Sequence, residues 1–168
     1  MNSVLQAINP FAKIETVEAA LLAARASSVS LWLSGAKWIL AAILMIGNMS
    51  EMRAALTADA VARGDASVQT MVNAGGVEIT VAVTAAVGLF QILLGGVQWR
   101  SPSTVIPIIF LILSTYGLGT TIWGHLNGGG DSSPWSVALS YFTLIVAVVF
   151  HAIGLRGATR LERLHKGT

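Results

Sequence analysis

Residues 77–124, VEITVAVTAAVGLFQILLGGVQWRSPSTVIPIIFLILSTYGLGTTIWG, contain two long apolar stretches joined by the short polar sequence RSPST. A helix needs roughly 20 apolar residues to cross a hydrocarbon core of about 30 Å. Similar stretches lie on both sides, so the expected spans are residues 30–47, 77–99, 104–124 and 134–154. Because a backbone in lipid must satisfy its own hydrogen bonds, the sequence predicts an all-α integral membrane four-helix bundle, with residues 1–168 as a single transmembrane domain.

The composition supports the bilayer as the solvent of this chain. Of its 168 residues, 54% are hydrophobic and 11% are charged, whereas about a quarter of the residues of a soluble domain are charged. The absence of cysteine excludes disulfides, iron–sulfur clusters and cysteine-ligated zinc. The net charge of +2 is too small to indicate binding to nucleic acid.

The spans divide the positive charges unevenly. Seven cations lie in the N-terminal stretch, the second loop and the C-terminal tail, while the first and third loops have only Arg53 and Arg63. Cations are enriched on the cytoplasmic side of membrane proteins. We therefore expect both termini in the cytoplasm and the chain in a bacterial inner membrane.

Two further helices are expected outside the spans. Apolar residues at helical spacing predict an amphipathic helix in the inner interface; they are Phe11, Ile14, Val17, Leu21 and Leu22. Residues 50–63 of the first loop are rich in helix formers and begin with Ser50, a residue type that favours the N-cap. They predict a short helix on the outer surface.

Three titratable residues are expected near the outer face: Glu78 at the start of the second span, His125 at the end of the third, and Asp131 in the third loop. Histidine exchanges protons near neutral pH, so the three are a candidate proton, ion or contact cluster if the helix order brings them together. In the simpler alternative, Glu78 is a first-turn carboxylate favoured by the helix dipole, and residues 127–130 form only a turn.

Other polar and small residues lie within the expected spans. The candidates for intramembrane polar contacts are Gln91, Thr115, Tyr116 and Thr120, and the candidates for close helix packing are Gly117, Gly119, Gly95 and Gly96. The sequence Thr115-xxx-Gly119 has the spacing with which small residues let two helices approach. Interhelical packing and hydrogen bonding are the default interpretation, and a polar cavity wall or a quinone contact is the alternative.

We expect this chain alone to hold no cofactor. Bound lipid is expected, and a bound quinone is an open alternative. His125 should lie near the outer face and His151 near the inner face, so the two cannot sandwich a haem. No spacing of histidines and carboxylates supplies the three or four converging ligands of a metal site, and no catalytic motif occurs. We therefore assign neither catalytic residues nor metal ligands.

The run from Val87 to His125 resembles the DoxX-like family of small four-span bacterial membrane proteins. Gly95, Gly96 and Arg100 match the glycine-rich turn and basic residue that end the family's second span, and His125 matches the histidine near the end of its third. The resemblance implies four spans with both termini inside, and a place beside catalytic subunits of membrane redox complexes, including quinone-linked sulfur oxidation.

Three functions follow as hypotheses. The first is a non-catalytic accessory or structural subunit of a membrane complex, such as a respiratory or other energy-transducing assembly, that contacts lipids and other subunits or itself. The second is a small transporter or channel that uses Glu78 and the Ser/Thr-rich third span. The third is a DoxX-like, quinone-linked oxidoreductase subunit that contributes Gln91, Tyr116 or His151; here Gln91 stands near where the family commonly has a carboxylate.

Overall fold

A computed structural model describes residues 4, 7, 9, 12–127 and 134–166. In this part of the chain there are six helices and no strands; the helices are α1 (Val17–Gly47), α2 (Met49–Arg63), α3 (Ala66–Asn73), α4 (Gly76–Arg100), α5 (Val105–Leu126) and α6 (Pro134–Lys166). Four of them, α1, α4, α5 and α6, are long and apolar enough to cross a membrane. The predicted all-α class and the four candidate spans are thus confirmed.

The chain divides into two compact units. Unit 1 consists of Met1–Leu31 together with Leu94–Thr168, and unit 2 consists of Trp32–Leu93. Unit 1 therefore contains the first half of α1, the end of α4, and all of α5 and α6. Unit 2 contains the rest of α1 and α4, with α2 and α3 between them.

The amphipathic helix predicted from Phe11 onward is not a separate element. Phe11 lies outside the described residues, residues 12–16 are not helical, and α1 runs unbroken for 31 residues from Val17. The side-chain oxygen of Thr16 accepts a hydrogen bond from the amide of Ala19 at 3.1 Å. This cap satisfies one of the free amides at the helix start, and it explains why α1 begins there.

In unit 1, described residues that precede α1 pack against α1 and α6. Ile14, Ala19, Ala20, Ala23 and Ile153 are buried in one apolar cluster. The apolar residues expected to face an interface are thus partly enclosed by protein. At 31 and 33 residues, α1 and α6 are about 46 and 50 Å long, so each exceeds the roughly 20 residues that a bilayer core requires.

In unit 2 the first half of α4 meets the second half of α1 at two glycines. A Cβ added to Gly35 would lie 2.7 Å from the carbonyl oxygen of Gly88, and one added to Gly88 would lie 2.9 Å from that of Gly35. The indole nitrogen of Trp32 donates to the carbonyl of Ile92 at 3.2 Å. The two backbones approach closely because neither glycine has a side chain to separate them.

The first loop contains the helix expected over residues 50–63, but its start differs. Helix α2 begins at Met49 after Asn48, whose side chain makes no N-cap hydrogen bond, so the predicted Ser50 cap is wrong. The side-chain amide of Asn48 instead donates back to the carbonyl of Leu44 at 2.9 Å, at the end of α1. Gly64, with a φ of 67°, ends α2 in the left-handed conformation that glycine adopts readily.

Candidate functional site

The closest helix contact of unit 1 joins α1 to α6. A Cβ on Gly154 would lie 2.6 Å from the Cβ of Ser27, and one on Gly157 would overlap the backbone of Ala24 and lie 2.7 Å from the carbonyl oxygen of Ala20. Glycines on α6 and small residues on α1 therefore let the two backbones touch. We refer to this region, formed by Ala20, Ala24, Ser27, Gly154 and Gly157, as the α1–α6 contact.

A polar pair is enclosed beside this contact. The hydroxyl of Ser27 and Nδ1 of His151 share a hydrogen bond of 2.7 Å, and the two residues are 0% and 2% exposed. The ring of Phe110 on α5 stacks on His151 with a centroid distance of 5.6 Å and an interplanar angle of 29°. The pair links α1 and α6 and satisfies polar groups that would be costly to leave unpaired in lipid.

A serine hydrogen-bonded to a histidine is also half of a nucleophilic catalytic arrangement, in which the histidine activates the hydroxyl. That chemistry requires a substrate to reach the serine. The complete burial of Ser27 and the stacking of Phe110 on His151 leave no access in this conformation. What the pair does here is hold two helices together.

Gln98 forms a second buried polar connection. Its side-chain nitrogen donates to the carbonyls of Ser103 at 3.1 Å and Ala24 at 3.4 Å, and its oxygen accepts from the amide of Ser103 at 3.1 Å. These bonds tie the α4–α5 turn to α1. Next to it, the guanidinium of Arg25 lies 4.7 Å from the centre of the Trp99 ring and donates to the Trp99 carbonyl at 3.2 Å.

The three residues of the predicted outer-face cluster have separate environments. Glu78, in unit 2, forms an ion pair with Arg53, and both side chains are about half exposed, at 44% and 48%. His125, in unit 1, meets the edge of the Tyr141 ring at a centroid distance of 6.1 Å. Asp131 lies outside the described residues. The partner of Glu78 is thus a residue that the sequence did not single out.

His125 and His151 take part in two separate contacts between α5 and α6. His125 on α5 meets Tyr141 on α6, whereas Phe110 on α5 meets His151 on α6. Tyr141 and His151 are ten residues apart, about 15 Å along a helix. The contacts run in opposite directions along the two helices, so α5 and α6 are antiparallel.

The predicted small and polar residues of the third span divide into two groups. Gly117 packs toward α6, because a Cβ there would lie 3.4 Å from Cδ2 of Leu144. Gly119 has nothing within 4 Å of its Cβ position, and Thr115 and Thr120 are exposed. Of these α5 candidates, Gly117 is the one that packs against another helix among the described residues.

The remaining candidates lie on α4 and α5. The side-chain oxygen of Gln91 is buried and has no hydrogen-bond partner among the described residues. Gly95 is buried, while the Cβ position of Gly96 has open space around it. Tyr116 is 71% exposed. In the part of the chain that the structure describes, no three histidines or carboxylates come close enough to hold a metal ion.

The sequence did not indicate Ser27, Gln98, Gly154 or Gly157. A signal was present in the small residues Ala20, Ala23, Ala24, Ser27 and Ser28, which recur every three or four positions before the first expected span. These positions lie outside the apolar window that defines the span.

Comparisons with known proteins give no relative for this chain: no family model matches the sequence, and neither a curated protein nor a solved structure matches it. The resemblance to the DoxX-like family therefore stays a prediction.

Proposed function

We propose that this protein is a non-catalytic integral membrane subunit that associates, through α5, with another membrane subunit or with a second copy of itself. The proposal rests on an exposed face of α5 that has a gap at Gly119, where no side chain projects. This face consists of residues at helical spacing, namely Ile112, Thr115, Tyr116, Gly119 and Trp123, and we call it the open face of α5.

The open face has the chemistry of a helix–helix interface in lipid. Ile112, Tyr116 and Trp123 are 63%, 71% and 71% exposed, and a Cβ added to Gly119 between them would meet no described atom within 4 Å. In membranes, helices associate where small residues permit close approach and polar side chains can bond across. Gly119 permits the close approach of a second helix, and the hydroxyl of Thr115 can form a hydrogen bond to it. The rings of Tyr116 and Trp123 flank Gly119.

The share of buried residues distinguishes α5 from the other spans. In its most apolar stretch only 6% of the residues are buried, against 22% in α1 and in α4. With 17% buried in α6, α5 has the smallest buried share of the four candidate spans. A surface with small and hydroxylated residues gains more from a protein neighbour than from lipid tails.

The cation distribution supports an orientation with both termini in the cytoplasm, and we propose a bacterial inner membrane as the location. An energy-transducing complex is the assembly that we propose. The transport hypothesis is less favoured, because the carboxylate of Glu78 is already compensated by Arg53.

The test is the mass of the protein extracted from its native membrane in a mild detergent. We expect one discrete species heavier than a monomer. Gly119→Leu should reduce it to monomer, because the leucine side chain fills the gap at position 119. Gly96→Leu is the matched control, because its Cβ position is equally open but lies on α4. A monomeric wild type, or an equal loss in both variants, would contradict the proposal.

A further inference from the structure

The cytoplasmic half of α6 changes abruptly from apolar to basic. Residues 135–155 contain no Asp, Glu, Lys or Arg, and Arg156, Arg160 and Arg163 follow. A span of about 20 residues that begins at Trp135 ends near Leu155. The three arginines share one helix face, and they begin where lipid headgroups replace lipid tails.

These arginines form one wall of a cleft of about 390 Å³ in unit 1. The other wall is the N-terminal segment, which contributes a fourth cation, Lys13. Among the described residues, the lining consists of Ala12, Lys13, Ile14, Arg156, Thr159, Arg160 and Arg163, and none of these is a carboxylate. We call this the basic cleft.

Hydrogen bonds to the main chain build the basic cleft. The guanidinium of Arg156 donates to the carbonyls of Asn9 at 2.8 Å and of Ala12 at 3.3 Å, and Nε of Arg160 donates to the carbonyl of Ile14 at 3.0 Å. A carbonyl orients a guanidinium but does not neutralise its charge. The cleft therefore keeps concentrated positive charge in a fixed geometry.

Its two other cations do not hold the backbone. Neither Lys13 nor Arg163 forms an ion pair in the described part of the chain. Each can be neutralised without removing a hydrogen bond that positions the N-terminal segment. The positive charge of the cleft can therefore be reduced while the hydrogen bonds that hold its two walls together stay in place.

An apolar groove of about 350 Å³ lies one helical turn away. Its lining includes Val4, Leu22, Trp99 and Phe150, and Ile153 brings it to the same helix as the basic cleft. The first cleft arginine, Arg156, follows Ile153 by three positions on α6, a rise of about 4.5 Å.

The groove and the cleft also share one segment of main chain. Ala7 lines the groove, and its carbonyl accepts a hydrogen bond from Arg156, which lines the cleft, at 3.3 Å. A single amphiphile can therefore reach both, with its charged end among the arginines and its chain in the groove.

We propose that unit 1 binds one anionic phospholipid, with its phosphate in the basic cleft and an acyl chain in the apolar groove. Basic pockets between spans on the cytoplasmic side select anionic headgroups. The proposal needs no partner subunit, and it goes beyond the association through α5.

The experiment uses the purified, delipidated full chain, titrated with phosphatidylglycerol or phosphatidylcholine and followed by native mass spectrometry. We expect one phosphatidylglycerol per chain, bound more tightly than phosphatidylcholine and more weakly as salt rises. Lys13→Gln and Arg163→Gln should each weaken binding about fivefold, and together about 25-fold. Arg100→Gln, at the exposed end of α4 and outside the cleft lining, should not change it.

A third arm, with glycerol phosphate, separates a lipid site from a site for soluble anions. It has the phosphate but no acyl chain, so we expect it to bind far more weakly and not to displace the lipid. Equal binding of the two phospholipids, equal loss in the Arg100 control, or displacement by glycerol phosphate at comparable concentration would overturn the proposal. The salt series on the wild type and the two single variants keep the test valid if the double variant does not fold.

Discussion

Glycines have opposite surroundings in two regions of unit 1. At the α1–α6 contact, a Cβ on Gly154 or Gly157 would collide with the opposing helix, whereas on the open face of α5 a Cβ on Gly119 would meet nothing within 4 Å. Small residues allow close approach in both places. At the α1–α6 contact the chain itself supplies the opposing helix, whereas on the open face of α5 no described helix lies against Gly119. The difference separates glycines that let two helices of the chain touch from a glycine that has open space beside it.

The largest effect is expected from filling the closed region. Gly157→Val places branched carbons against the backbone of α1, which cannot move aside as a side chain would, and we expect a loss of about 3 kcal/mol in the free energy of unfolding. Reversible unfolding in detergent measures it. Gly96→Val is the control, because its Cβ position is open, and its effect should stay within about 0.5 kcal/mol. Equal stability of the two variants would show that the α1–α6 contact is not closed.

A smaller effect should come from the polar pair beside the contact. Ser27→Ala and His151→Phe, alone and combined, should give a coupling energy of about 0.6 to 1.7 kcal/mol, the range for hydrogen bonds between membrane helices. Unfolding of the four proteins in detergent gives the coupling. Thr143→Ala should show no coupling to Ser27, since its hydroxyl bonds to Ser140 within α6. A coupling near zero between Ser27 and His151 would mean that their hydrogen bond does not stabilise unit 1.

The smallest effect is expected at Asp65, which lies in unit 2 and outside both of these regions. The side-chain hydroxyl of Ser67 and the amide of Val68 hold the pKa of Asp65 below its usual value of 3.8. A carboxyl with a lowered pKa in the folded state stabilises it at neutral pH, and that contribution disappears as the pH falls from about 3.8 through the lowered value.

Amide exchange of Ser67 and Val68 reports on this cap. Asp65→Ala should speed their exchange at neutral pH, and Asp65→Asn much less, because asparagine also caps helices. The unfolding free energy of variants at the α1–α6 contact should be unaffected by either change. A neutral-pH exchange rate that is the same in wild type and Asp65→Ala would argue against the cap.

The four spans could be predicted because they depend on local properties. Apolar length and the need to pair every backbone group within the segment indicate a helix without reference to any neighbour. The start of α1 could not be predicted in the same way. Phe11, Ile14 and Val17 have helical apolar spacing, but residues 12–16 are not helical. Arg160, far along the chain, donates to the carbonyl of Ile14, and Thr16 caps the helix that begins at Val17.

The candidate site was less predictable, because it depends on which helices meet. The spacing rule treated Gly117 and Gly119 alike, and only their surroundings separate them. The partner of Glu78 is Arg53, which is 25 residues away in helix α2. Ser27 and His151 are 124 residues apart, so no local pattern connects them.

The central claim is that the open face of α5 is where another membrane protein binds. The chain has no cysteine, so a single introduced cysteine carries a photo-crosslinker at one known position. Gly119→Cys, labelled in native membranes, should give one discrete protein adduct, a dimer of this chain or a heterodimer with one subunit, while Gly96→Cys should give none. If both variants react only with lipid, the open face of α5 is a lipid-facing surface and the account is wrong.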